Sequence, residues 1–328
     1  MQDRLCAGRV WTVRSRERGF YSEMRLYFQL ALLAFVSCGQ VLVAQDLSPR
    51  AYTVTPLRAN AITLTYGFYD GSLLFNGVIP ATNATGKYNV PVVSLYHSFK
   101  MFGHLANGVA ALPYAVGNFT GDLAGNQVQI HRSGLVDSTY RLAVNLKGGP
   151  ALEPPEFHKW QQKTIIGVSL KMIAPTGQYD PAKVINWGGN RWAFKPELGY
   201  SYRTGKIVMD AYGGVWFYTT NPNFFTGQNR QSEQPIGAIE GHLSYDWRLR
   251  TWVSLDGNFW FGGTTSLNGI PNQATRQTSS RLGVTGSVRL DKHQSMKVSY
   301  SAGDYARFGG NYQNLSFAWQ WSWIGRPR

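Results

Sequence analysis

The sequence predicts an all-β protein, an antiparallel transmembrane β-barrel of about 12 strands, exported behind a signal peptide. Three observations lead there. Apolar and polar residues alternate with period two in segment after segment. In those segments the charges fall on the face opposite the large apolar side chains. After residue 45 no apolar run approaches the roughly 18 residues that a spanning helix needs.

Composition supports the same class. Charged residues are 15% of the chain, against roughly 25% in an ordinary soluble domain. Aromatic residues reach 14% and glycines number 36. The net charge is +14, and removing the six Lys/Arg and three Asp/Glu of 1–44 leaves 26 against 15, about +11. The basic residues are spread singly, which argues against a nucleic-acid partner. Lipopolysaccharide and anionic solutes suit that charge better.

Residues 24–44 read as an export signal. Arg25 supplies the positive start, Leu26–Val36 the apolar stretch, and Ala44 the small residue before a cut at Gln45. Met24 is the expected start, because 1–23 carry scattered arginines and no apolar core. Residues 1–44 are then extension and signal peptide, and 45–328 the barrel. Cys6 and Cys38 both precede the cut, so the mature chain has neither disulfides nor a thiolate metal site.

The C-terminal segment shows the alternation most clearly. Leu315, Phe317, Trp319, Trp321 and Trp323 alternate with Asn314, Ser316, Ala318, Gln320 and Ser322. A strand puts all five large residues on one face, where a helix would scatter them. The segments 192–203, 237–248, 281–290 and 295–302 repeat the pattern with charges on the polar face. A charge on the lipid face at mid-membrane costs roughly 2–4 kcal/mol, which explains the segregation. Strands are expected near 60–70, 89–102, 108–118, 134–146, 162–173, 192–203, 206–219, 236–248, 251–262, 279–290, 295–307 and 312–324. Short turns are expected at Gly103–Asn107, Thr204-Gly205, Leu249-Arg250 and Asp291–Gln294, and long loops at 71–88, 119–133, 174–191, 220–235 and 263–278. Two links break the alternation: the proline-bearing 147–161 is long on the short side, and the link near Gly309-Gly310 is short on the long side. The tail after Trp323, Ile324–Arg328, departs from an assembly signal that ends on an aromatic residue.

Sites for chemistry are sparse. The six histidines, at 97, 104, 131, 158, 242 and 293, show no metal-ligand spacing, and no cofactor motif occurs. His131, Ser133 and Asp137 lie close in sequence, as a lipid hydrolase would need, but proximity on a loop orients neither base nor nucleophile. The inward face carries the main constellation: Arg141, Lys171, Lys195, Glu197, Asp210, Glu240, Asp246, Arg281, Arg289 and Lys297. Two readings stand for it, a network of lumen ion pairs and a basic-leaning path that attracts anions such as aromatic carboxylates. In 174–191, Pro175, Gly177 and Pro181 form turns, and Asp180 with Arg191 either pin the loop or help it select solutes.

Several blocks carry a family resemblance. They are Ala174–Asn186, Asn190–Gly199, Gly214–Tyr218, Ser254–Gly257, Ser280–Gly283 and Lys297–Tyr300. Together they resemble a family of bacterial outer-membrane proteins named for the meta-cleavage pathway of phenol degradation. The resemblance implies an outer-membrane barrel engaged in uptake of aromatic or other hydrophobic compounds, and it brings no catalytic residues. It does not extend to 45–60. The expected function is a passive outer-membrane channel for such solutes, with membrane lipid, lipopolysaccharide and the barrel-assembly machinery as partners. The alternatives are a structural or adhesive barrel and a lipid hydrolase.

Trp321→Asp places a charge on the predicted lipid face and is expected to block assembly. Wild-type abundance and normal heat-modifiable migration of that variant would refute the facing.

Overall fold

Alternating residues become a wall in the computed structural model, which describes residues 47–74, 81–123, 126–183, 185–224, 228–248, 250–306 and 309–326. The expected export signal, the start at Met24 and both cysteines lie outside the described residues. So do Leu249 of one expected turn and the last two residues of the tail.

The chain forms β1 (Ala59–Leu74), β2 (Ala81–Met101), β3 (His104–Leu123), β4 (Asn126–Leu135), β5 (Ser138–Lys147) and β6 (Thr164–Ala174). It continues through β7 (Ala193–Thr204), β8 (Ile207–Tyr218), β9 (Asn221–Phe224), β10 (Asn229–Glu233), β11 (Ile236–Arg248) and β12 (Thr251–Gly262). It ends with β13 (Thr265–Leu267), β14 (Ile270–Asn272), β15 (Gln277–Arg289), β16 (Gln294–Ala306) and β17 (Gly309–Ile324). Each wall strand pairs antiparallel with its neighbour in sequence. β1 closes the wall on β17, from Ala59 opposite Ile324 to Leu74 opposite Gly309. β4 and β5 are two halves of one wall strand, because β3 pairs with β4 through Tyr114–Leu123 and with β5 through Ala106–Ala111. The result is a closed 12-strand antiparallel barrel, as the alternation predicts.

Side-chain facing follows the parity of the sequence. Tyr66 and Phe68 on β1, Leu198 and Tyr200 on β7, Leu243 and Tyr245 on β11, and Phe317, Trp319, Trp321 and Trp323 on β17 stand exposed on the outer face. Their strand neighbours Lys195, Ser201, Glu240, His242 and Ser244 are buried inside. An apolar belt around a polar interior inverts the soluble pattern and is the arrangement of a barrel that faces lipid.

One end of the barrel gathers the start of β1, the end of β17 and the tight turns. Phe102 and Gly103 both take positive φ (50° and 84°), as a two-residue hairpin turn requires. Gly205 does so at the next tight turn (φ 55°). At the other end two of the expected long loops prove to be strand. Residues 71–88 and 119–133 largely continue the hairpins β1–β2 and β3–β4. Polar pairs across the strands hold these extensions: Lys87 with Asp70 (3.0 Å), Thr85 with Thr120 (2.8 Å) and Asn83 with Asp122 (2.9 Å). Their Gly, Asn and Thr content reads as loop because no apolar face is needed beyond the lipid. Residues 220–235 and 263–278 contribute β9, β10, β13 and β14, which pair as a small separate sheet.

The link 147–161 contains one helical turn, α1 (Pro154–Phe157), with a capping box between Glu153 and Glu156. Phe157 and Trp160 pack on the cluster formed by Tyr52, Val54, Leu57, Leu105, Ala143, Ile165 and Tyr212. Arg58 forms a bidentate pair with Glu153. Its side-chain hydrogen bond holds the Glu153 carboxyl below its ordinary value.

A carboxylate whose pKa is lowered on folding adds stability above its unfolded pKa and loses it as pH falls through the folded value. Glu153→Gln is therefore expected to unfold with a shallower pH dependence below the ordinary carboxylate range than the wild type, followed by tryptophan fluorescence. The pair is solvent-exposed, so the difference is small. Identical acid profiles would count against it.

Candidate functional site

The lumen is the candidate site, and the segment 47–58 runs through it. Leu47 lies against Gly283 on β15. The Arg50 guanidinium donates to Asp246 on β11 (2.7 Å) and sits 4.6 Å over the ring of Trp252 on β12. The backbone N–H of Arg50 donates to Asp210 on β8 (3.1 Å), and that of Ala51 to the Tyr212 hydroxyl (3.0 Å). Asn145 on β5 donates to the Tyr52 carbonyl (3.2 Å). Thr55 meets Tyr96 on β2 (2.7 Å). Arg58 N–H then donates to the Ser98 carbonyl (3.0 Å), where β1 begins. The segment thus touches one wall strand after another across the interior.

Tyr52 is its largest fully enclosed side chain, 1% exposed. The ring lies over Gly167 and Gly199, which sit directly opposite each other on β6 and β7. A Cβ at either glycine would come within 2.4 Å and 2.0 Å of a ring carbon, respectively. Glycine inside a strand marks such close approaches.

Toward the loop end lies a belt of paired charges. Lys195 on β7 reaches Glu197 and, across β8, Glu240 on β11, each at 2.7 Å. It crosses β8 over Gly214, where a Cβ would stand 2.9 Å from Lys195 Cε. His242 Nδ1 lies 2.9 Å from Asp256 on β12 and its Nε2 3.8 Å from Glu240. Asp256 also accepts from Ser254 (2.7 Å) and from Thr285 on β15 (2.6 Å). Hydrogen-bonded pairing of this kind is what lets charge reside away from water.

Above the belt the lining turns aromatic. Trp216 and Trp260 pack with Ala193, Ile236 and Ala238, and Lys171 Nζ lies 5.8 Å from the Trp216 ring. The loop 175–192 folds inward over this end. Asp137, at the break between β4 and β5, accepts from the N–H groups of both Gly177 (2.8 Å) and Gly189 (2.7 Å). One carboxylate so ties together two ends of the loop. Trp187 of the loop packs on Tyr88 (5.5 Å between centroids) and Phe119 (5.6 Å). Tyr88 in turn stacks on Tyr69 (4.7 Å) and meets Tyr312 edge-on (5.0 Å).

The structure brings Arg141, Lys195, Glu197 and Glu240 together in one cluster: Arg141 Nη2 lies 3.9 Å from Glu197 and its guanidinium 4.8 Å over the Tyr52 ring. Asp210 and Asp246 instead anchor Arg50, and Asp246 also takes Arg203 (2.7 Å). Arg281 is buried on β15, bonded to Ser301 (2.7 Å) and the Tyr312 carbonyl (3.3 Å). Arg289 stands apart, exposed at the turn end with its guanidinium on the carbonyls of Asp291 and Lys292. Lys297 is exposed on β16 opposite Ser287. Asp180 and Arg191 do not pair with each other. Asp180 binds Lys183 (2.8 Å) inside its own turn. Arg191 binds Glu233 and lies 4.5 Å over the Tyr218 ring. Burial pushes the Glu233 carboxyl up, against the pull of Arg191.

His131, Ser133 and Asp137 are not assembled as a triad. His131 bonds Asn118 (2.8 Å), and His131 and Ser133 are exposed on β4 while both Asp137 oxygens are taken by the loop. A shallow apolar concavity of about 610 Å³ between Leu243, Val253, Leu255, Val284 and Val298 opens on the outer wall, away from the lumen.

A family model described as "Putative MetA-pathway of phenol degradation" matches residues 58–319. The chain belongs to this family. Among solved structures it is similar to a COG4313 outer membrane channel from Pseudomonas putida F1, with 18% identity and a TM-score of 0.70 over 85% of this chain and 100% of that one. Weaker likenesses include the β domain of the Bordetella autotransporter BrkA (12% identity, TM-score 0.48, 81% of this chain and 100% of that one). Another is the transport unit of the autotransporter AIDA-I from Escherichia coli (10%, TM-score 0.47, 86% and 93%). No curated protein sequence matches the chain. The family match begins at residue 58, so the lumen segment before it is outside the matched region.

Lys195→Met leaves Glu197 and Glu240 without their shared cation. It is expected to destabilise the barrel by roughly 3–5 kcal/mol in urea unfolding from lipid vesicles. Adding Glu240→Gln should recover part of that loss. A single variant as stable as wild type would show that the belt is hydrated and energetically slack.

Proposed function

We propose that the chain is a passive outer-membrane channel for small hydrophobic or aromatic solutes, exported by the segment 24–44 and acting without catalysis. The observation that carries this reading is the construction of the lumen. Paired charges and aromatic rings line it, and two inserted segments narrow it: 47–58, which packs Tyr52, Val54 and Leu57 on the wall, and 175–192, which brings Trp187 over the mouth. Twelve strands enclose more space than the eight that side chains alone can fill. Family membership and the likeness in fold to an outer membrane channel support the same reading.

In this reading the turn end faces the periplasm and the extended hairpins face outward, as short turns and long loops do in such barrels. The apolar belt meets membrane lipid, and the hairpins stand at the level of lipopolysaccharide. β17, with its aromatic face, is the strand presented to the barrel-assembly machinery. The basic excess over acidic residues draws anions towards the mouth.

The purified chain in planar bilayers is expected to conduct weakly. Arg50→Ala with Tyr52→Ala should conduct several-fold more, because the two lose the anchors of the inserted segment. Liposomes carrying the protein should admit small aromatic solutes faster than empty ones. Lack of conductance in both proteins, with no solute admitted, would sink the channel reading.

A further inference from the structure

Tyr52 is held in the lumen as a ligand would be held. Its ring occupies a slot whose floor is the glycine pair Gly167 and Gly199. Tyr212 meets the ring edge-on at 5.2 Å, and the Arg141 guanidinium covers it at 4.8 Å. The hydroxyl donates to Glu197 Oε1 at 3.0 Å and lies 3.1 Å from Ser169 Oγ. All of these groups belong to the wall strands β5–β8, so the slot does not depend on the inserted segment for its own construction.

We infer that this slot is a binding site for the phenol ring of a solute, occupied at rest by the chain's own tyrosine. The inference rests on the channel reading above and names the class of solute and where it stops. The chemistry is selective. Glu197 Oε1 accepts a hydrogen bond from a neutral hydroxyl at 3.0 Å, so a ring lacking the hydroxyl forfeits that charge-assisted bond and leaves Oε1 only the longer contacts from Ser169 (3.4 Å) and Arg141 (3.9 Å). A benzoate would set its carboxylate against Glu197. Cation–π attraction from Arg141 favours an electron-rich ring. Tyr52 competes from within the chain, and a short tether gives such a competitor an effective concentration on the order of millimolar. A phenolic solute therefore enters by displacing Tyr52, and in doing so loosens the segment that narrows the lumen.

The test uses the full chain in detergent and p-cresol as the probe, with binding read by equilibrium dialysis against micelles alone. Tyr52→Ala is expected to bind one p-cresol at least tenfold more tightly than wild type, and toluene and benzoate at least tenfold more weakly than p-cresol. Tyr52→Phe, which keeps the ring and drops the hydroxyl, should fall between wild type and Tyr52→Ala. Gly199→Leu added to Tyr52→Ala should fill the slot and abolish binding, with heat-modifiable migration reporting that each variant is folded. Equal p-cresol binding by wild type and Tyr52→Ala would overturn the inference, as would equal binding of p-cresol and toluene. Conductance without p-cresol binding would remove the site and leave the channel. Binding without conductance would keep the site and remove the channel.

Discussion

Within lipid no water is available to satisfy a backbone amide, so every N–H and C=O of a spanning strand has to find its partner in another strand. The pairing of β1 with β17 meets that requirement along the full length of both strands. Closure removes the edges on which a sheet would otherwise pair with other chains. It also forces the division of side chains that defines the molecule. Alternate residues face lipid, where only apolar groups are tolerated, and the rest face a space enclosed by the wall. The polar chemistry of this chain is concentrated in that space because the wall leaves it few other places.

An enclosed polar space brings its own demands. Charges there are shielded from bulk water, and the chain answers by pairing them: Lys195 between two carboxylates, His242 between Glu240 and Asp256, Arg50 on Asp246. Inward glycines decide where the interior is open to something other than wall side chains. Gly214 clears the way for Lys195, and the Gly167–Gly199 pair clears it for a ring. The positions without side chains are therefore as much a part of the lumen design as the charged ones.

The wall was legible in the sequence because its signal is local. Two-residue alternation and the segregation of charge locate all 12 strands, and the parity of Trp319 or Lys195 follows from its neighbours alone. The extensions of β1–β4 were hidden because polar hairpins beyond the lipid carry no apolar face. The contents of the lumen were hidden for a different reason. Residues 47–58 have no periodicity, and their placement depends on partners 90 to 200 positions away, such as Asn145, Tyr212 and Asp246. One local trace did exist, since glycines at matching inward positions of two adjacent strands imply a guest between them. The parity of the inward charges follows from the sequence, but which pairs with which is a matter of register and reach. Arg289 shows the limit: its parity points inward, and its side chain turns back onto its own turn.

The segment 47–58 runs without a break into β1 at Arg58 and Ala59. Its residence in the lumen is therefore unimolecular. It does not change with the number of copies in a membrane, and no diffusible factor has to be supplied for it to return. On the proposed channel reading, the leak of an unoccupied barrel is then set by intramolecular contacts alone, those of this segment and those of the loop 175–192.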